Sequence, residues 1–168
     1  MKYFTLLWLT FGTAFLVQGQ SNVVEKYFKD YQESENFSTV FVSPKMFQMI
    51  TKSTENTDPD VVEVLKDLKG LKIVSTKVKP EQVFTEANKR IAGKGYEELL
   101  TVRESGSVVK FYTFDKNGII EELLMFVGSK QDFILISFAG NINLSKLSKL
   151  AKKLDIQGAE HLDKIGNK

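Results

Sequence analysis

The chain contains no cysteine, and that absence excludes several classes of protein. Without thiols it can form no disulfide framework, no cysteine metal centre and no lipid anchor on a cysteine behind a leader. Histidine is nearly absent too, because His161 near the C-terminus is the single one. Neither a nucleophile elbow nor HExxH-type spacing accompanies His161, so we interpret it as a surface residue. We therefore expect no metal, no cofactor and no catalytic residue.

The chain also has few prolines and a low net charge. Three prolines, and no repeat or low-complexity tract, give no sign of a linker, so we expect residues 20–168 to form a single domain. The formal net charge is only +2, far below the strongly basic balance of nucleic-acid binders, and we expect no nucleic-acid partner. The stretch from Lys66 to Lys94 is locally basic, which indicates a solvated face or, alternatively, a surface for anionic lipid or an acidic partner.

The sequence lacks an apolar run long enough for a membrane-spanning helix, which requires ~20 residues. The run over residues 3–17 is shorter, follows a short basic start and leads to a small residue, Gly19. This order is typical of an export signal. We predict a signal peptide at residues 1–19, cut between Gly19 and Gln20, with no integral membrane span after its removal. A retained N-terminal anchor is the alternative.

In the first half of the domain, helix and strand signals alternate. Apolar residues spaced by three and four predict an amphipathic helix over Val23–Tyr31, and the β-branched stretch Phe37–Ser43 predicts a strand. Proline marks three further helix starts, at Ser43-Pro44, Asp58-Pro59 and Pro80. The helix from Pro59 is expected to end at Gly70, before a strand at Leu71–Thr76.

The second half predicts a β-meander. Its four strand-like runs are Tyr96–Arg103, Val108–Lys116, Ile119–Val127 and Phe133–Ala139. Between the second and the third lies Asn117-Gly118, a strong hairpin signal, because both central turn positions need positive φ. An amphipathic helix between Leu144 and Leu154 follows. The predicted fold is α+β, a mainly antiparallel sheet of about five or six strands with this four-strand C-terminal meander, packed with three to five helices.

The last two predicted strands are apolar at both alternating sets of positions. Alternate side chains of a strand point to opposite faces, so both faces of this part of the sheet are apolar. Two interpretations stay open: helices cover both faces, or one face binds an apolar ligand. For the second interpretation, the candidate ligand-binding residues are Tyr112, Phe114, Met125 and Phe126.

Adjacent carboxylates occur at Glu97-Glu98 and Glu121-Glu122, and paired carboxylates are common groups of acid–base catalysis. Neighbours in a strand point to opposite faces, so neither pair is expected to converge on one substrate atom. Convergence of Glu98 with Glu122 across strands is the alternative. Solvated or ion-paired glutamates are the simpler interpretation.

Five segments together resemble one known family. They are Ser43–Phe47, Leu68–Ile73, Tyr96–Leu100, Glu122–Gly128 and Phe133–Leu144. They resemble the domain of unknown function 4252 family, exported bacterial proteins found mainly in Bacteroidetes, over about residues 23–165. The resemblance implies a periplasmic, cell-envelope or secreted location and no known activity, with envelope-signalling sigma-factor systems as a functional lead. Relatives commonly carry acidic residues where this chain has Asn141 and Asn143, so any cation site in them would lack its charge here.

These observations favour an exported, non-enzymatic interaction module whose partner is an envelope protein. The alternative is a carrier of an apolar or lipid-like ligand on one face of the sheet. A carboxylate-based hydrolase is the least favoured hypothesis.

Overall fold

The structure is a computed structural model that describes residues 23–53 and 59–153. In these ranges the chain forms five α-helices and six β-strands. In chain order they are α1 (Val23–Gln32), β1 (Ser38–Val42), α2 (Pro44–Ser53), α3 (Pro59–Asp67), β2 (Leu68–Thr76), α4 (Pro80–Ile91), β3 (Tyr96–Glu104), β4 (Ser107–Lys116), β5 (Ile119–Gly128), β6 (Phe133–Ile142) and α5 (Leu144–Lys153). None of the helices in these ranges has both the length and the apolar character needed to cross a membrane.

The six strands form one sheet in the order β1-β2-β6-β5-β4-β3, and every neighbouring pair is antiparallel. Strands β3 to β6 form the predicted meander, and β2 and β1 extend the sheet beyond β6. The predicted α+β fold with its antiparallel sheet is therefore confirmed. The order places β5 and β6 at the centre and leaves β1 and β3 as the two edges.

Helices cover both faces of the sheet. α1 and α4 pack on one face, called face A, while α2, α3 and α5 pack on the other, called face B. Phe126 on face A and Phe111 on face B are fully buried. Burial of each such side chain away from water contributes roughly 1.5–3 kcal/mol to the stability of the folded protein. Two apolar cores therefore explain why the central strands are apolar at both sets of positions, which confirms the interpretation that helices cover both faces.

Two hairpin turns of the meander have positive φ at both central residues, as predicted for Asn117-Gly118. Asn117 and Gly118 have φ values of 53° and 78° between β4 and β5. Ser105 and Gly106 have φ values of 49° and 83° between β3 and β4. Positive φ at both central residues is typical of the type I′ turn, whose twist matches that of the paired strands.

Three helices begin at the predicted prolines, and the predicted cap at Ser43 is present. The Ser43 side-chain oxygen accepts a hydrogen bond from the backbone N–H of Met46 at 3.3 Å, and Pro44 is the first residue of α2. Pro59 and Pro80 are the first residues of α3 and α4. Proline suits this position because the first helical N–H has no partner within the helix.

The predicted end of α3 is wrong. Gly70 does not end α3 but lies inside β2, which follows α3 directly at Leu68. Leu68 and Gly70 are buried and Lys69 between them is exposed, an alternation typical of a strand. Leu68 also fits the helical spacing of apolar residues in α3, so the apolar pattern alone does not separate helix from strand at this point.

Candidate functional site: the open edge of the sheet

Strand β1 is an edge strand whose outer side pairs with no other strand of the described part of the chain. An unpaired edge presents backbone N–H and C=O groups to which another strand can bind, and natural proteins usually block it with charge, proline or a bulge. The five residues of β1, Ser-Thr-Val-Phe-Val, include neither charge nor proline. Their pairing with β2 runs without a shift from Ser38 to Val42. β1 therefore carries none of these protections.

The opposite edge, β3, is protected. Its nine residues include charges at Glu97, Glu98, Arg103 and Glu104. A register irregularity between Glu98 and Leu100 also interrupts the ladder with β4. Charge and irregularity both oppose the addition of a strand. The comparison identifies β1 as the edge that is able to accept one.

Two large apolar side chains of β1 are exposed, one on each face of the sheet. Val40 is 48% exposed and lies on face B, because its partner Ile73 packs against that core. Phe41 is 56% exposed and lies on face A, where its ring centre is 6.4 Å from that of Phe28. The Nζ of Lys72 lies 5.8 Å from the centre of the Phe41 ring. A strand added at this edge would have apolar contacts on both faces.

The four predicted ligand-binding residues do not share one face. Tyr112, Phe114 and Phe126 lie on face A, whereas Met125 belongs to the core of face B. Met125 and Phe126 are neighbours in β5, and neighbouring side chains in a strand point to opposite faces. The predicted grouping of Met125 with the other three residues is therefore wrong.

Face A has little free space at these residues. Tyr112 and Phe126 are buried beneath the helices, and the Tyr112 hydroxyl donates a hydrogen bond to the side-chain oxygen of Asn88 in α4 at 2.8 Å. A cavity beside Phe126, between α1 and α4, has a volume of about 10 Å³. A space of that size holds roughly one water molecule. The cavity beside Phe126 is therefore too small for a lipid-like ligand.

Glu98 and Glu122 both lie on face A, but they do not form a pair. Two strand spacings, roughly 9–10 Å, separate β3 from β5. Glu98 accepts hydrogen bonds from Lys110 Nζ at 2.8 Å and from Thr101 Oγ1 at 2.6 Å. These hydrogen bonds, that from Lys110 first, hold the pKa of Glu98 below its usual range. Each of the two carboxylates is held by its own neighbours.

Glu122 is the centre of a polar cluster within face A. Its carboxylate accepts hydrogen bonds from Tyr96 Oη at 2.6 Å and from Ser137 Oγ at 2.5 Å. Burial raises the pKa of Glu122, while both hydrogen bonds and the charge of Lys72 oppose that rise. Burial also lowers the pKa of Lys72, whose ammonium group forms an ion pair with Glu25 of α1.

Both carboxylate oxygens of Glu122 accept their hydrogen bonds from side chains of the same sheet, on β3 and β6. Three depressions lined by described residues lie elsewhere and do not include Glu122. Neither Ser137 nor Tyr96 was predicted to contact Glu122. The sequence does contain a signal for the contact with Ser137: a glutamate and a serine lie in two otherwise apolar strands. Because buried polar groups need hydrogen-bond partners, such residues in neighbouring strands are expected to pair.

Asn143 has a structural role at the start of α5. Its side-chain oxygen accepts a hydrogen bond from the backbone N–H of Lys146 at 3.1 Å, which caps the helix. Asparagine and aspartate are both favoured caps, so an acidic residue at this position in relatives would be explained without a cation. Asn141 and Asn143 line a depression of about 10 Å³. Among the described residues, no three His, Asp or Glu side chains lie together in a way that could hold a metal ion.

Other predicted features lie outside the described residues. They are the signal peptide at residues 1–19, its cleavage site between Gly19 and Gln20, and His161. Of the basic stretch, Lys72 pairs with Glu25, as described above. Arg90 pairs with Asp30 of α1 at 2.7 Å. These contacts join α1 to β2 and α4, which gives part of the basic stretch a role inside the fold.

Comparison with known families places the chain in one of them. It matches the family described as Domain of unknown function (DUF4252) over residues 31–150, from within α1 into α5. Because the match covers more than half of its 168 residues, the chain belongs to this family. The resemblance noted in the sequence is confirmed, over a shorter range than residues 23–165. No curated protein and no solved structure matches the chain.

Proposed function

We propose that this protein is an exported, non-enzymatic interaction module of the bacterial cell envelope that binds an extended protein segment at β1. The observation that carries the proposal is the open edge of β1, which is uncharged and has Val40 and Phe41 exposed beside it. The exposed edge and its apolar flanks are what strand addition requires.

Binding would occur by the addition of one strand to the sheet. Backbone groups on the outer side of β1 would exchange hydrogen bonds with the segment, which supplies affinity that depends little on its sequence. Alternate side chains of the segment would contact Val40 on face B and Phe41 on face A, which supplies specificity. Since both contacts are apolar, we expect a segment rich in β-branched and aromatic residues.

The hydrogen bonds that Glu98 and Glu122 already make within the protein support a binding role and not a catalytic one. Glu98 is held by Lys110 and Thr101, and Glu122 by Tyr96 and Ser137. A general acid or base must lie within hydrogen-bond reach of its substrate. Carboxylates that already join strands of their own sheet are better explained as structural groups.

Export is supported by the N-terminal sequence, with its basic start, its short apolar run and the small residue Gly19. Fractionation of the host cell and intact mass measurement of the chain test this part of the proposal. The expected product begins at Gln20 and is recovered outside the cytoplasm. An intact N-terminus in the membrane fraction would favour a retained anchor, and a cytoplasmic location would refute export.

Site-specific photo-crosslinking in the host tests the binding edge. A photoreactive phenylalanine analogue in place of Phe41 should form adducts with a protein segment. The matched position is Leu99 on the protected edge β3, which is 37% exposed and should give few adducts. In the purified complex, backbone amides of β1 should exchange hydrogen more slowly than in the free protein. Equal crosslinking at both edges, or unchanged exchange in β1, would contradict the proposal.

A further inference from the structure

We infer that the strand added at β1 is β1 of a second copy of this chain, which produces a two-fold symmetric dimer. The inference rests on the proposed function, because it names the partner of the same edge. The two six-stranded sheets would join through their β1 strands into one continuous sheet. The protected strand β3 would then form both outer edges of that sheet, so that no open edge of the two sheets would remain.

A two-fold interface must be complementary to itself, because the same surface is used by both copies. β1 meets this requirement when two copies pair antiparallel about Val40, which then lies opposite the Val40 of the second copy. The flanking pairs are Thr39 with Phe41 and Ser38 with Val42. Since β1 has no charged residue, no like charges come to lie opposite each other in this register.

The side chains also agree with this arrangement. The dimer axis is perpendicular to the sheet, so each face continues across it. On face B the two Val40 side chains meet, and directly opposed β-branched residues pack favourably. On face A each Phe41 lies beside Thr39 and diagonal to the second Phe41, at the ~7–8 Å spacing that aromatic side chains can span. One contact therefore covers both exposed apolar residues of β1.

Charge gives a reason to prefer a second copy to a different partner. Interfaces that choose among partners commonly use charged groups for specificity, and β1 offers none. Lys72, the cation beside Phe41, is already neutralised by Glu25. The pairing therefore brings no uncompensated ammonium group from this position toward the axis. A neutral strand that matches itself is best suited to self-association.

Sedimentation equilibrium of the processed chain, from micromolar to submillimolar concentration, tests the inference. The wild type should form a reversible dimer. Val40→Lys and Val40→Glu each place like charges at the axis and remove the contact between two valines, so each should weaken dimerisation about 100-fold. A mixture of the two variants sets lysine opposite glutamate and should restore dimers, which also shows that both variants fold. Leu99→Lys on β3 is the matched control and should leave the dimer unchanged.

The outcomes separate this inference from the proposed function. A monomeric wild type, or variants of Val40 that dimerise as well as the wild type, would overturn the second-copy inference. If the photoreactive group at position 41 then formed adducts with a different protein, the proposed binding edge would still stand. Adducts only within the same chain would defeat both, because the edge would be covered internally.

Discussion

Tyr96 on β3 donates a hydrogen bond to Glu122 on β5, with 2.6 Å between Oη and Oε2, across the width of β4. The other carboxylate oxygen accepts a hydrogen bond from Ser137 on β6. One carboxylate thus links three strands at a place where face A is otherwise largely apolar. Because burial disfavours its charged form, this link makes the stability of the fold depend on pH.

The first prediction concerns Glu122→Gln. The pKa of Glu122 is raised in the folded state, so the folded chain binds this proton more tightly than the unfolded chain. Below the ordinary glutamate pKa both states are protonated. As the pH rises from there through the raised pKa, stability falls, by about 1.4 kcal/mol for each unit of the shift. The variant should lack this fall and be more stable than the wild type at neutral pH, as measured by urea unfolding across the pH range.

Comparing the stability of Glu122→Gln with that of the wild type at each pH separates the contribution of Glu122 from that of Glu98. The pKa of Glu98 is lowered, first by its hydrogen bond with Lys110, so its contribution has the opposite sign and is lost as the pH falls. That contribution is present in both proteins and cancels in the difference. Parallel stability profiles for the two proteins would show that Glu122 is not the group responsible.

The second prediction concerns Tyr96→Phe. The change removes a hydrogen bond to the charged carboxylate, so the pKa of Glu122 should rise further. The loss of stability should reach about 1.5–3 kcal/mol where Glu122 is ionised and be smaller where it is protonated. A double-mutant cycle with Glu122→Gln should give a coupling energy that disappears at low pH. A coupling energy independent of pH would mean that the hydroxyl acts on something other than this charge.

Much of the fold could be predicted because local signals agree with it. Asn117-Gly118 requires a tight hairpin, and the turn has the expected positive φ at both residues. Ser43 and Pro44 identify a helix start that the structure confirms. The end of α3 could not be predicted in the same way, since the burial of Gly70 in β2 depends on pairing with β6, which is distant in sequence.

The candidate site was less predictable for a related reason. The uncharged strand that contains Val40 and Phe41 was visible in the sequence, but its place at an edge follows from the sheet order. That order inserts β2 between β1 and β6, a long-range arrangement with no local signal. The grouping of Met125 with Phe126 failed on a simpler point, because the alternation of side chains along β5 already separates them.

The third prediction concerns Asn143, the cap of α5. Asn143→Ala removes the side-chain oxygen that accepts the hydrogen bond from the Lys146 N–H and should cost about 1 kcal/mol. Asn143→Asp keeps an acceptor and adds a negative charge near the helix N-terminus, so it should be at least as stable as the wild type. Thermal unfolding measures both. Calcium should not shift the melting temperature of the aspartate variant, and a large shift would revive a cation site at this turn.

The last prediction concerns the junction between α3 and β2, where Gly140 of β6 lies against the backbone. A Cβ at Gly140 would overlap the carbonyl oxygen of Asp67 and lie 2.9 Å from the Cα of Leu68. Backbone atoms cannot rotate aside as a side chain can, and φ at Gly140 is 151°, which L side chains rarely adopt. Gly140→Ala should therefore lower the free energy of unfolding by about 3 kcal/mol or more, as measured with urea.

The matched control is Gly70→Ala. Its Cβ would lie an ordinary 3.8 Å from the Phe41 ring, so this variant should change stability by less than about 1 kcal/mol. Equal losses in the two variants would mean that the absence of a side chain at Gly140 is not what allows α3 to pass directly into the sheet.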